Sequence, residues 1–202
     1  PALAAGCPVV IKPAASTPYT ATALVELADR AGVPKGVINL LSVSENNVAD
    51  VGDELCTNQD IRKISFTGST NVGKKLIAKS ATTIKKVSME LGGHAPFIVF
   101  EDANLDEAVT GAMANKYRNS GQVCVSANRI YVHKNIYDEF AKKLAEKSAA
   151  LKVADGREQG AQIGPLITSA AIEKVVSHVT DAVEKGAKVL TGGEPDNAGK
   201  QF

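Results

Sequence analysis

Ile61-Arg62-Lys63-Ile64-Ser65-Phe66-Thr67-Gly68-Ser69-Thr70-Asn71-Val72-Gly73-Lys74-Lys75-Leu76-Ile77-Ala78-Lys79-Ser80 joins an apolar run to an amphipathic one through a glycine break. Ile61 to Phe66 reads as a strand, Thr67-Gly68-Ser69-Thr70 as a turn, and Asn71 to about Ser80 as a helix. The same alternation runs outward in both directions. Upstream lie strand-like Val9 to Ile11, a helix from Pro18 to Ala31 ended by Gly32, strand-like Val37 to Leu41 and a helix from Asn46 to Cys56. Downstream, Val87 to Leu91 and Phe97 to Phe100 are strand-like. Leu105, Ala108, Val109, Ala112, Met113 and Tyr117 then keep the helical period. Ile130 to Val132 is a strand, Ile136 to about Leu151 a helix, and Ile172, Val175, Val176, Val179 and Val183 mark a last long helix. This pattern predicts an α/β fold: a mostly parallel sheet, right-handed crossovers and helices on both faces. It contains no repeat and no low-complexity segment.

The chain has 202 residues, enough for one or two domains with a real core. Its 44% hydrophobic and 22% charged content is ordinary for a globular protein. A net charge of +1 with both signs interspersed leaves no electrostatic footprint for nucleic acid or an anionic membrane. No apolar run approaches a membrane span, and no signal peptide is present. Cys7, Cys56 and Cys124 are widely separated, with neither metal-ligand spacing nor a disulfide framework. No metal is expected, and a reducing, cytoplasmic location is the simpler expectation. Pro1-Ala2-Leu3-Ala4-Ala5-Gly6 reads as the tail of a helix closed by glycine, without an initiating Met. The chain stops at Gly199-Lys200-Gln201-Phe202, which is no terminus signal. The expectation is an internal piece of a longer protein, its division falling near Gly92 and Gly93.

Gly68-Ser69-Thr70-Asn71-Val72-Gly73-Lys74-Lys75 opens a helix, where backbone amides and the helix dipole can hold a phosphate. As a P-loop its G-x-x-x-x-G-K spacing is right, but Lys75 stands where a magnesium-binding Ser or Thr belongs. Phe97 to Phe100, followed by Glu101 and Asp102, imitates the acidic strand of such a site. As a dinucleotide site it lacks G-x-G-x-x-G. A purely structural turn is the third reading, and the local pattern leaves all three open.

A separate pair of residues suggests covalent chemistry. Cys124 ends Lys116-Tyr117-Arg118-Asn119-Ser120-Gly121-Gln122-Val123-Cys124, and Glu90 lies 34 positions earlier (124 minus 90) in Met89-Glu90-Leu91-Gly92-Gly93. A thiolate can attack a carbonyl, and a carboxylate can activate water. Gly121 and Gln122 permit a tight backbone path, so Cys124 is expected on a loop entering regular structure. The ordinary alternatives are a small buried cysteine and a strand-end glutamate.

Four linked motifs carry a resemblance. Val10-Ile11-Lys12-Pro13-Ala14, Phe66-Thr67-Gly68-Ser69-Thr70 with Gly73, Met89-Glu90-Leu91-Gly92-Gly93 and Gly121-Gln122-Val123-Cys124 resemble the aldehyde dehydrogenase superfamily, in its order and over essentially the whole chain. Lys116 to Gln122 and Ala95-Pro96-Phe97-Ile98-Val99-Phe100 look like the succinate-semialdehyde dehydrogenase branch. The resemblance implies a nucleotide-binding, Rossmann-like domain at 1–92 and the first part of a catalytic domain at 93–202. It implies that Cys124 attacks the aldehyde, that hydride passes to NAD or NADP, and that Glu90 activates the water that hydrolyses the thioester. Lys12, with Pro13, Ala14, Ala15 and Ser16, would lie at the adenosine ribose. Gly68, Ser69 and Gly73 would lie at the pyrophosphate, and Leu91 and Gly92 near the nicotinamide. Arg118 would pair with the far carboxylate of succinate semialdehyde, an intermediate of γ-aminobutyrate catabolism. The implied partner is a small-molecule aldehyde, and the full-length protein is expected to be a homo-oligomer. A missing N-terminal transit peptide would move it to the mitochondrial matrix.

Three positions depart from the family's pattern. Ala15, followed by Ser16, replaces the Glu of many NAD-preferring members, which removes a repulsion against a 2′-phosphate, so NADP should be accepted. Ser126 replaces the second thiol of a Cys-x-Cys pair, so a regulatory disulfide at Cys124 is not expected. His94 has no catalytic role assigned, and His133 and His178 read as structural. The family's oxyanion Asn precedes residue 1 and its nicotinamide-ribose Glu follows residue 202, so the 202-residue chain by itself is expected to turn over little or no aldehyde. A P-loop nucleotide hydrolase is the rival of a different class, and a non-catalytic scaffold a second rival.

Overall fold

The computed structural model describes residues 1–195; the closing Gly199-to-Phe202 stretch lies outside them. Two compact units divide between Leu91 and Gly92. The first contains β1 (Val9–Ile11), α1 (Tyr19–Arg30), β2 (Ile38–Leu40), α2 (Val48–Thr57), β3 (Lys63–Thr67), α3 (Thr70–Ser80) and β4 (Lys86–Glu90). The second contains β5 (Ala95–Val99), α4 (Leu105–Tyr117), β6 (Ala127–Val132), α5 (Tyr137–Ala149) and α6 (Ser169–Glu184). Each strand and helix expected from the periodicity is present within a few residues of its expected ends.

In the first unit, Pro18 precedes α1, and Gly32, with φ +82°, follows it in a left-handed conformation open to glycine. Ala21, Val25 and Ala28, at helical spacing, are its half-buried face, and α1 packs on β2. Cys56 is fully buried where α2 meets α3, its sulfur 3.7 Å from the Leu76 carbonyl. The thiol is therefore a core hydrophobe.

The second unit has a continuous core of Val99, Val109, Ala112 and Phe140, flanked by Phe97, Leu105, Met113, Ile130 and Leu144. Helix α4 starts where the Asn104 side chain accepts hydrogen bonds from the Asp106 and Glu107 amides. Asp106 and Glu107 also place negative charge at the positive end of the helix. Lys143 of α5 reaches Asp106 at 2.8 Å and Glu139 at 3.1 Å, linking the two helices at their exposed edge. Strand alternation sends Phe97, Val99, Ile130 and Val132 toward α4 and α5, while Ile98 and Tyr131 on the other face are exposed.

Every strand pair is parallel: β1 with β2, β3 with β4, and β5 with β6. They hydrogen-bond as three two-stranded ladders, not as one continuous sheet. Alternation of strand and helix determines strand direction, whereas joining of ladders depends on which neighbours the tertiary structure supplies. The register of β5 on β6 slips between Ala95 and Pro96, where proline has no amide to donate.

Candidate active site

Cys124 occupies the corner of a turn that enters β6. The Ser126 amide donates to the Val123 carbonyl at 3.1 Å, leaving Cys124 and Val125 as the central residues, and Cys124 is exposed and unbridged. The chain reaches this turn through Asn119, Ser120 and Gly121, all left-handed, at φ 50°, 56° and 78°. Serine rarely adopts that conformation, so the surroundings must hold it there. They do so with hydrogen bonds. The Asn119 side chain donates to the Gln122 carbonyl at 3.2 Å, and the Gln122 side-chain nitrogen returns one to the Asn119 carbonyl at 3.2 Å. The Ser120 hydroxyl donates to the Gly164 carbonyl at 3.0 Å, and Gln122 Oε1 accepts from the Ile167 amide at 2.9 Å.

The far side of the turn is equally tethered. The side-chain amide of Asn115, on α4, donates to the Val125 carbonyl at 3.3 Å and accepts from the Ala127 amide at 2.6 Å. Ser126, between those two residues, is buried, and its hydroxyl has no partner among the described residues. Lys116 Nζ donates to Asn128 Oδ1 at 2.6 Å, and burial pushes its ammonium below the usual lysine range. Asn128 in turn donates to the Gly93 carbonyl at 3.4 Å and faces His94 Nδ1 at 3.2 Å. A Cβ built on Gly93 would stand 3.6 Å from the Cys124 carbonyl. Gly93 therefore lies against the Cys124 turn.

Glu90 ends β4, level with Thr67 of β3, and the Gly68 amide donates to its carbonyl at 3.0 Å. Its side chain is exposed at the carboxyl end of a parallel pair, the edge where α/β sheets present ligand-binding groups. Ser69 caps α3, its hydroxyl accepting from the Val72 amide at 3.3 Å. The two glycines of this corner answer to packing. A Cβ on Gly68 would collide with the Phe66 ring, and one on Gly73 would lie 2.6 Å from a Leu91 methyl. The Thr70 and Asn71 amides remain at the helix start, as an anionic group requires. The P-loop alternative loses its acidic strand: β3 pairs with β4, while the strand preceding Glu101 and Asp102 pairs with β6.

Lys12 directly follows β1, half-buried, its ammonium turned onto the Pro13 carbonyl. Pro13, Ala14 and Ala15 line a cleft of about 220 Å³ with Pro18, Ser42, Val43 and Ser44, and Ser16 is exposed beside it. No carboxylate lines this cleft. Ser42 and Ser44 supply hydroxyls there, and Lys12, next to Pro13 in sequence, is the neighbouring cation, a set of donors that suits a ribose with a phosphate. Arg118 follows α4, exposed, with no ion-pair or hydrogen-bond partner among the described residues. Among those residues no group of His, Cys, Asp and Glu is arranged to hold a metal. Nor is any helix long and apolar enough to cross a membrane.

Cys124, its turn and Arg118 belong to the second unit, while Lys12, Gly68, Ser69, Gly73, Glu90 and Leu91 belong to the first. Asn115, Ser120 and Gln122 escape a reading of the sequence as functional residues. They act through side-chain bonds to backbone 10 to 45 positions away, which no periodicity encodes.

Parallel strand–helix units that carry an unbridged, exposed thiol at a turn describe an α/β protein. All 202 residues match the aldehyde dehydrogenase family, and the chain belongs to it. It is 59% identical over 194 residues to glutarate-semialdehyde dehydrogenase of Pseudomonas putida, covering 96% of this chain and 40% of that one. It is 54% identical over 202 residues to the NADP(+) succinate-semialdehyde dehydrogenase of Escherichia coli, all of this chain and 41% of the relative. The crystal structure of succinate-semialdehyde dehydrogenase from Burkholderia pseudomallei superposes with a TM-score of 0.95 at 55% identity, over 100% of this chain and 41% of that one. The chain thus spans about two fifths of the length of these relatives.

Proposed function

We propose that the whole protein oxidises succinate semialdehyde to its dicarboxylic acid through a thioester on Cys124, with NADP or NAD as hydride acceptor. The observation that carries this reading is Cys124 itself: an exposed thiol at the corner of a turn braced from both sides. The Cys124 thiolate adds to the aldehyde carbonyl and forms a carbon–sulfur bond, giving a thiohemiacetal whose oxygen bears the negative charge. Collapse of that alkoxide restores the carbonyl and expels hydride. A nicotinamide held by the first unit's residues would supply the acceptor for this hydride, and with it the oxidation. Glu90 then takes a proton from water, the hydroxide adds to the thioester, and the carbon–sulfur bond breaks to return the thiolate. Arg118, exposed and without a protein carboxylate beside it, is suited to a bidentate pair with the substrate's distal carboxylate.

The reading extends to the organisation of the chain. Residues 1–92 act as part of the nucleotide-binding domain and 93–202 as the first part of the catalytic domain, which the compact units meeting at Leu91 and Gly92 support. Lys12, Pro13, Ala14, Ala15 and Ser16 hold the ribose region, Gly68, Ser69 and Gly73 the pyrophosphate, and Leu91 and Gly92 the nicotinamide. The absence of a carboxylate at Ala15 and around its cleft supports acceptance of a 2′-phosphate. A cytoplasmic homo-oligomer is the proposed form. Glutarate semialdehyde, one methylene longer, is a second reading, favoured by the Pseudomonas putida relative's name and 59% identity.

The test uses the full-length protein. Cys124→Ala should abolish turnover. Glu90→Gln should slow thioester hydrolysis by about 10²-fold or more while leaving a first-turnover burst. Arg118→Ala should lower kcat/KM by roughly tenfold to a hundredfold for semialdehydes with a terminal carboxylate. It should leave aldehydes without one unchanged. Equal losses for both aldehyde classes would exclude Arg118 as the carboxylate partner, and the ratio of four- to five-carbon substrates decides chain length.

A further inference from the structure

Asn115 sits on α4, nine residues before Cys124 and outside every motif named above (124 minus 115). Its side-chain amide makes two backbone bonds: it donates to the Val125 carbonyl at 3.3 Å and accepts from the Ala127 amide at 2.6 Å. A carbonyl at one residue and an amide two residues later is the pair that a neighbouring β-strand would satisfy. Asn115 therefore acts as a one-residue strand partner at the start of β6, and the peptide units on either side of Ser126 are both held.

Those peptides form the second half of the Val123–Ser126 turn that carries Cys124 at its corner. The segment leading into the turn is held separately, by Gln122 to Ile167 and Ser120 to Gly164. The turn has no other side-chain brace on the α4 side among the described residues. Ser126 does not supply one, since its buried hydroxyl is unpartnered. Helix α4 is in turn anchored in the core through Val109 and Ala112.

The geometry points to Asn115 as a positioning residue for the nucleophile: its amide couples the rigid helix α4 to the Cys124 turn and sets the direction from which the sulfur meets the aldehyde. This rests on the reading of Cys124 as nucleophile. Positioning of this kind acts on thioester formation, because small misplacements of a reacting atom cost rate more than binding.

The experiment measures the rate of the first-turnover burst, kcat and KM in the full-length protein, with hydrogen exchange at the Ala127 amide. Asn115→Leu removes both bonds and should slow the burst by about tenfold or more, with KM within about twofold. Asn115→Asp keeps the acceptor for Ala127 and sets an oxygen against the Val125 carbonyl. It should slow the burst too while the Ala127 amide stays protected. Asn115→Ser, whose hydroxyl stands one bond short of both backbone groups, should lose both bonds and slow the burst as Leu does. If the Leu variant does not fold, the Asp and Ser variants decide. Burst rates in Asp and Ser within about twofold of wild type, with Cys124→Ala inactive, would overturn the inference alone. Turnover by Cys124→Ala would overturn the functional reading beneath it.

Discussion

Gly73 and Leu91 are packed so closely that a single methyl at residue 73 would come within 2.6 Å of one Leu91 methyl and 3.0 Å of the other. The helix that follows the Gly-Ser corner is thereby seated directly on the residue after Glu90. The glycine that imitates a P-loop is a packing glycine.

Gly73→Ala should consequently destabilise the protein, because Leu91 must change rotamer or α3 must shift. Overpacking of this kind costs about 1–3 kcal/mol, offset by about 1 kcal/mol of helix propensity gained within α3, so a net loss of up to about 2 kcal/mol is expected. A urea midpoint equal to wild type would show that Leu91 yields freely. Because Leu91 adjoins Glu90, thioester hydrolysis should slow as well.

Gln122→Ala removes the acceptor of the Ile167 amide and the return bond to the Asn119 carbonyl. Each net hydrogen bond contributes about 0.5–1.5 kcal/mol, so a loss of about 1–3 kcal/mol is expected. The lost tether also frees the segment around Ile163 and Ile167. Faster limited proteolysis between residues 153 and 168 should accompany the stability loss. Unchanged cleavage there would show that Ser120 to Gly164 suffices.

Ser126→Ala should be neutral or stabilising by up to about 1 kcal/mol. It removes a buried hydroxyl that has no partner among the described residues, and with it that group's desolvation cost. Thermal unfolding gives the check. A drop in Tm of several degrees would mean that the hydroxyl is satisfied in solution.

The α4–α5 edge should weaken in acid. A hydrogen bond from Lys143 holds the Asp106 carboxyl below its usual 3.8, and Arg157 holds Asp155 lower in the same way. Lowered carboxyl pKa values give stabilisation that is complete above the usual value and lost as pH falls through the folded one. Lys143 is raised above its usual 10.5 by Asp106 and Glu139, so its contribution is complete below 10.5 and lost only at higher pH. Urea midpoints of wild type should therefore fall below about pH 4, and Lys143→Met should flatten that acid limb. Identical limbs would remove the ion pair from the account. These groups are exposed, so the effect is small beside a core substitution.

The elements were legible in the sequence because they rest on short-range periodicity and punctuation. Gly32 ends α1, Asn104 caps α4 and Ser69 caps α3, each through bonds within a few residues. The candidate chemistry was legible for a related reason: Cys124, Glu90, Lys12 and the Gly68-Ser69 corner stand in local motifs of residue types that such chemistry requires. The fine role of glycine was not. Gly68 and Gly73 suggested a phosphate cradle, and the structure adds that each also faces a side chain, Phe66 and Leu91, which a Cβ would have to displace.

The sequence by itself determined the order of strands and helices, the family, and the thiol and carboxylate proposed to carry its chemistry. The tertiary structure alone decided how the strands divide into three parallel pairs and how the Cys124 turn is held. The physical reason is distance along the chain. Asn115 to Ala127, Ser120 to Gly164 and Gln122 to Ile167 are specific polar bonds between positions 12, 44 and 45 apart. Such bonds exist only once the chain has folded and brought the segments together, as burial of Val109 and Ala112 of α4 against Val99 and Phe140 does for the helix that carries Asn115.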